Sequence, residues 1–268
     1  MRIAIVGGDA RMPFVAAALE RAGHRVGLSA ACGRALSPSM LAEAEAVLLP
    51  HPLTRDGIHL NAPASPLDLP LSALFAMLPE GVPLLCGHTG GALAALAESH
   101  PLLSYGEDEG YLSRGATLTA EGALPLLLGR GGVALSDTPC LILGSGRLAS
   151  ALSDLLTGLH APFAVAARRT TPLPCGICPH PLESIASIIG GYPVILNTVP
   201  VRLLTPQVLS CAARGTLILE LSAVPGVLDT ELCARLGLEV TVAPALPGRY
   251  APKSAGEALA AAAGKLLC

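Results

Sequence analysis

The stretch that most limits how this chain can fold runs from Thr138 to Ser150. Cys140-Leu141-Ile142-Leu143 is a short apolar run of strand length. It breaks into Gly144-Ser145-Gly146-Arg147-Leu148-Ala149, after which Leu148, Leu152, Leu155 and Leu156 recur at helical spacing. Strand, glycine turn and helix in that order is the setting a dinucleotide-binding fingerprint requires. Gly144 permits the tight turn, Gly146 lets a pyrophosphate approach the backbone, and Ala149 is small enough for close strand–helix packing. The unpaired N–H groups opening the helix would face the phosphates. The cofactor contacts expected here are Gly144, Ser145, Gly146, Arg147 and Leu148.

The next strand distinguishes the two nicotinamide dinucleotides. An NAD site places an acid about 20 residues on, against the ribose 2′-hydroxyl. Here Phe163 to Arg169 is that strand, and it ends in Arg168 and Arg169 with no acid. A guanidinium binds a 2′-phosphate through charge-assisted, bidentate hydrogen bonds. NADP is therefore favoured over NAD.

Alternating strand and helix patterns over 268 residues predict an α/β protein of two domains. Both are expected to be open, mostly parallel, doubly wound (Rossmann-like) sheets. The expected division is 1–118, an N-terminal α/β domain on the substrate side, and 119–248, the nucleotide domain. Residues 249–268 form a C-terminal loop and helix that returns to the first domain. A bridging helix opens near Thr117, capped by Thr119, and runs to Leu128. With no Trp and a net charge of −3, there is no electrostatic case for nucleic acid. A first strand beginning at Arg2 leaves no room for a signal peptide, and no apolar run reaches the roughly 18 residues of a membrane span. A cytoplasmic chain is expected. The eight cysteines are scattered except for Cys175 and Cys178, which sit among prolines without the partners of a zinc site, so no metal is expected.

In the first domain, Arg2 to Gly7, His24 to Leu28 and Ala46 to Pro50 read as strands, but the first turn has only Gly7-Gly8. Ligands of such sheets bind beyond the carboxyl ends of the strands. Asp9 and Arg11 lie there, as do His51, Thr54, Arg55 and Asp56 after the third strand. In the second domain Asn197, Thr198, Val199 and Pro200 close a buried strand, and Asn197 and Thr198 are candidates to bind a nicotinamide ribose. The tail from Ala243 to Gly256 is stiffened by Pro244, Pro247 and Pro252. It reads as a rigid loop presenting Arg249, Tyr250 and Lys253, with Ser254 opening the last helix.

With these residues in hand the chain resembles, nearly end to end, the family of the A-type subunit of dipicolinate synthase. The likeness rests on Gly7-Gly8-Asp9-Ala10-Arg11, Leu49-Pro50-His51-Pro52, Gly144 to Arg147 with its Arg168 exit, and Leu196 to Pro200. It continues through Leu221-Ser222 with Pro225-Gly226, Ala243 to Gly248, and Ala251 to Gly256. The chain departs from the family at Ala223-Val224, where an Arg is frequent, at Ala149 in place of Gly, and at Glu220 in place of Asp. The resemblance implies oxidation of dihydrodipicolinate to dipicolinate with NADP⁺ in the mother-cell cytoplasm during sporulation. It also implies a partner, the flavoprotein-like B-type subunit of dipicolinate synthase. Self-association is left open. A small dicarboxylate substrate needs anion-binding groups, for which Arg11, Lys253, Arg249 and the helix start at Ser254 are the candidates, and a base, for which His51 and Asp9 compete. Two alternatives are a non-catalytic nucleotide-binding subunit and an NADP-dependent dehydrogenase of another small carboxylic acid.

Overall fold

A computed structural model describes residues 1–63, 65, 68–129, 133–222 and 228–267, apart from the side chains at 92 and 96. The chain divides into two compact units, one of Met1–Gly115 with Pro247–Cys268 and one of Ala116–Leu246.

The first unit holds β1 (Arg2–Val6), α1 (Met12–Arg21), β2 (Arg25–Ser29), α2 (Pro38–Ala42), β3 (Ala46–Leu48), α3 (Leu71–Phe75), β4 (Leu84–Cys86), α4 (Ala92–Leu96) and β5 (Leu102–Ser104). Its five strands are parallel, in the order β2-β1-β3-β4-β5. The chain order reverses between β1 and β3, which makes their exits the switch point where doubly wound sheets bind ligands. Unbroken apolar runs form these strands because both faces are covered. Ala4, Val6, Val47 and Leu84 pack into one core layer, while Ile3, Ile5, Leu48 and Leu85 pack into the other. Each large side chain among them, fully buried, contributes roughly 1.5–3 kcal/mol.

The helix α5 (Glu109–Leu128) carries the chain from the first unit into the second. It starts two to three turns before the expected Thr119 cap. The Asp108 carboxylate accepts from the Tyr111 N–H at 2.9 Å and so caps the true start.

The second unit holds β6 (Cys140–Leu143), α6 (Arg147–Gly158), β7 (Phe163–Ala167), β8 (His180–Pro181), α7 (Ile185–Ile188), β9 (Val194–Asn197), α8 (Pro206–Leu209), β10 (Leu217–Glu220), α9 (Thr230–Arg235) and β11 (Glu239–Val242). All six strands are parallel, ordered β11-β10-β9-β6-β7-β8, the doubly wound order of a dinucleotide-binding sheet. Both domains are thus the parallel α/β sheets the sequence predicts. Every residue of β6, β9 and β10 is buried, and successive side chains enter opposite faces. Ile142, Leu196 and Leu219 enter one core layer, and Leu143, Ile195 and Ile218 the opposite one.

The tail is helical at 246–250, where the sequence predicts a loop, and its expected last helix opens two residues before Ser254. It forms α10 (Leu246–Tyr250) and α11 (Pro252–Gly264), with Pro252 in the first turn, where a missing N–H costs nothing. Small residues let α11 lie close against α1. A Cβ on Gly256 would stand 2.6 Å from the Arg11 carbonyl oxygen, so only glycine fits that crossing.

Candidate functional site

In the first unit, the β1 exit and the β3 exit meet at the switch point, and the candidate residues meet with them. Gly7 and Gly8, with φ of 71° and 89°, turn the chain so that Asp9 and Arg11 face each other. Arg11 Nε donates to Asp9 Oδ1 at 2.8 Å and Nη2 to Oδ2 at 3.0 Å, a two-pronged pair. The Arg11 backbone N–H adds a third bond to Oδ1 at 3.1 Å. Nη2 also donates to the His51 carbonyl at 3.1 Å, which ties the first turn to the β3 exit across 40 residues of sequence. Burial works to raise the Asp9 pKa, but the hydrogen bonds and charge of Arg11 outweigh it and hold the carboxyl below its usual range.

His51 keeps a solvent-exposed edge, yet its ring is crowded on the protein side. A Cβ on Gly87 would lie 2.4 Å from His51 Cγ, so the imidazole rests on bare backbone at the β4 exit. Gly87 in turn is backed by Gly106, whose Cβ would fall 1.8 Å from the Gly87 carbonyl oxygen. This crowding, then the charge of Arg11 and the neighbouring His88, push the His51 pKa below its ordinary value. His51, Thr54, Cys86, His88 and Gly90 line a cavity of about 130 Å³ at the β3 and β4 exits. The tail closes on the same corner. A Cβ on Gly248 would stand 3.1 Å from Asp9 Oδ2 and 3.5 Å from Arg11 Nε. Arg249, with its guanidinium 5.8 Å from the Tyr250 ring, follows on α10, and Lys253 and Ser254 lie in the first turn of α11.

In the second unit the fingerprint turn lies at the switch point between β6 and β9. Gly144 has φ of 111°, and a Cβ there would strike Thr198 Oγ1 at 2.6 Å and Val199 Cγ2 at 2.9 Å. A Cβ on Gly146 would meet nothing within 4 Å. Ser145, Gly146 and Arg147 are exposed, Leu148 is half-buried and Ala149 is fully buried, so the turn presents open backbone at the start of a 12-residue helix. That arrangement fits a pyrophosphate. Arg168 and Arg169 emerge exposed from β7, one strand over.

Asn197 is placed otherwise than expected. It is 1% exposed, and its Nδ2 donates to Glu220 Oε2 at 2.6 Å while its Oδ1 accepts from the Val199 N–H at 3.3 Å. Thr198 donates its hydroxyl proton to the Leu143 carbonyl at 2.7 Å. Both side chains brace the β9 exit. The Ala223-Val224 and Pro225-Gly226 positions lie outside the described residues. Cys175 packs against the core and Cys178 is exposed, both as free thiols. Local sequence does not single out His88, Tyr111 or the glycines under His51. The run Gly87-His88-Thr89-Gly90-Gly91 directly after a strand is the one signal that points to that corner.

Residues 2–105 match the family model described as the N-terminal domain of the A-type subunit of dipicolinate synthase. The match covers most of the first unit and none of the second. A curated relative, the dipicolinate synthase A-type subunit of Bacillus subtilis (strain 168), is 31% identical over 153 residues, which is 56% of this chain and 52% of the relative. The chain is thus matched to about half the length of that relative. The structure of the same kind of subunit from Bacillus halodurans superimposes with a TM-score of 0.87 at 23% identity, over 99% of this chain and 97% of that one. The dipicolinate synthase structure from Bacillus subtilis gives 0.85 at 24%, over 99% and 95%. A more distant likeness in fold is D-2-hydroxyisocaproate dehydrogenase, with a TM-score of 0.58 at 11% identity over 100% and 96%. The resemblance to dipicolinate synthase expected from the sequence is therefore found in family, in relative and in fold.

Proposed function

We propose that this chain is an oxidoreductase that converts dihydrodipicolinate to dipicolinate (pyridine-2,6-dicarboxylate) with NADP⁺ as hydride acceptor. It does so with the flavoprotein-like B-type subunit of dipicolinate synthase, in the mother-cell cytoplasm of a sporulating bacterium. The observation that carries the reading is the Gly144–Gly146 turn at the β6/β9 switch point of a dinucleotide-type sheet, with arginines and no acid at the neighbouring strand exit. It stands in a chain whose residues 2–105 match the model of a dipicolinate synthase A-type N-terminal domain. Gly144, Ser145, Gly146, Arg147 and Leu148 would hold the pyrophosphate, and Arg168 and Arg169 the 2′-phosphate. When bound, the nicotinamide supplies the hydride acceptor.

The substrate loses a hydride from one ring carbon and a proton from elsewhere on the ring, and the product is aromatic, so the step is downhill. What the protein must add is positioning and a proton acceptor. His51 suits the second task, because its depressed pKa keeps the imidazole neutral and able to accept a proton near pH 7. Asp9 suits it poorly, since its carboxylate is already held by Arg11. Lys253 and Arg249, with the open N–H groups of the α11 first turn near Ser254, are the cationic groups for the carboxylates.

The test feeds the purified chain freshly generated dihydrodipicolinate and follows absorbance of the reduced nicotinamide, with NADP⁺ or NAD⁺, with and without the B-type subunit. Turnover that prefers NADP⁺ is expected. Tight NADP binding with no turnover in any combination would instead make the chain a nucleotide-binding scaffold.

A further inference from the structure

The Arg11 fork points inward. Of the five N–H donors of a guanidinium, Nε and one on Nη2 go to Asp9 and Nη2 also reaches the His51 carbonyl. Tyr111 lies near enough to the same guanidinium to feel its charge. The Arg11 side chain is 12% exposed, and Gly248 of the tail closes over the Asp9–Arg11 pair from the far side. We infer that Asp9 and Arg11 work as one unit that positions His51, with Arg11 acting through the His51 carbonyl and not on the substrate. This deepens the reading of His51 as proton acceptor and rests on it.

Two contacts fix His51 from different directions. Arg11 holds its backbone oxygen, and the Gly87–Gly106 stack sets the floor under its ring. The remaining ionisable groups around it are occupied or differently placed. On its own loop, Arg55 donates to Asn61 Oδ1, and Asp56 accepts from Thr54, Ile58 and His59. Cys86 and His88 face it from the β4 exit. Tyr105, which donates to the Leu49 carbonyl, and Tyr111 pack edge to face at 5.7 Å beside Arg11. Arg249 follows Gly248 on α10. Arg11 is the cation bonded directly to His51, and Asp9 is the anion that partly cancels it.

Opposite shifts in His51 titration follow from removing the two partners. Arg11→Gln deletes the positive charge, so protonating His51 becomes easier and its pKa rises. Asp9→Asn leaves the Arg11 charge uncancelled, so the pKa falls. Each shift should be roughly half a unit or more, given a charge within a few ångströms of a partly exposed ring. The experiment is an NMR titration of the His51 ring in the full chain without nucleotide or substrate, with the resonance assigned by His51→Gln. The acid limb of the kcat/KM profile should move with the titration, upward in Arg11→Gln and downward in Asp9→Asn, with kcat falling more than KM rises.

Arg11→Lys keeps the charge but loses the fork. It should leave the titration near wild type while kcat drops, and it serves if Arg11→Gln does not fold. An unchanged His51 titration in both charge variants would overturn the inference. So would a KM for the dicarboxylate raised tenfold at constant kcat, the signature of a substrate clamp. A wild-type chain that binds no dicarboxylate and turns nothing over would remove the proposed reaction, while the titrations would still decide whether the unit controls His51.

Discussion

The arginines at the β7 exit give the most direct test of which nucleotide this chain takes. β7 runs in register with β6, pairing Ala166 with Leu143, and the Gly144 N–H donates to the Ala166 carbonyl at 2.8 Å. Arg168 therefore leaves the sheet two residues past the carbonyl that holds the fingerprint turn, where the 2′ position of an adenine ribose lies in such folds. The perturbation is Arg168→Ala, alone and with Arg169→Ala. A 2′-phosphate carries about −1.5 to −2 charges, and a unit pair at 4 Å contributes about 1 kcal/mol in water. Both arginines are exposed, so the water-like figure applies and one arginine contributes roughly 1.5–2 kcal/mol. That corresponds to about a 10–30-fold rise in Kd for NADPH, with the double variant weaker still and NADH changed by less than about twofold. Fluorescence titration with both nucleotides at fixed low salt reads this directly, and the NADPH effect should shrink as salt is raised. Arg168→Asp should go further and tilt the preference toward NADH, because a carboxylate accepts from a 2′-hydroxyl and repels a 2′-phosphate. Equal weakening of both nucleotides, or none, in the double variant would refute the assignment of these arginines and with it the preference for NADP.

Two further substitutions probe the scaffold around the sites. Asn197→Leu strips the Glu220 carboxylate of its 2.6 Å donor and leaves it, 4% exposed, with the Ser222 N–H at 2.9 Å. Urea unfolding should show a loss of about 2–3 kcal/mol, and Asn197→Leu with Glu220→Leu should recover most of it; a single variant within about 0.5 kcal/mol of wild type would contradict the bracing role. Gly106→Ala drives a methyl into the Gly87 backbone and should cost about 1–3 kcal/mol and lower kcat by disturbing the seat of His51. Gly115→Ala, with open space at its Cβ inside α5, should be neutral or stabilising in the same urea unfolding.

The parts of this fold legible in the sequence are those where one local feature dictates one outcome. Apolar runs of four or five residues between turns become central parallel strands, because only burial on both faces accommodates them. Gly144 marks its turn because the chain there adopts a φ open to glycine. Misreadings fall where local signals pull against tertiary contacts. Gly110, Ser113 and Gly115 weaken α5 by propensity, so its first turns read as loop, yet the Asp108 cap and packing against Tyr105 hold them helical. The prolines of the tail suggest a stiff connector, but Pro247 and Pro252 fall in first turns, where they begin helices and do not break them. The polar residues at the site are harder for a different reason. A polar residue at a strand exit reads alike whether it serves a ligand or the scaffold, and only its neighbour in space decides. Strand register sets Asn197 directly beside Glu220, 23 residues on, and the two side chains pair there. Asp9 and Arg11 stand two residues apart and read separately, as a base and a carboxylate contact, whereas the fork between them engages both, and the adjacency of β1 and β3 delivers His51 to its open end. The catalytic reading of this corner therefore depends on a sheet order that no local stretch of sequence contains.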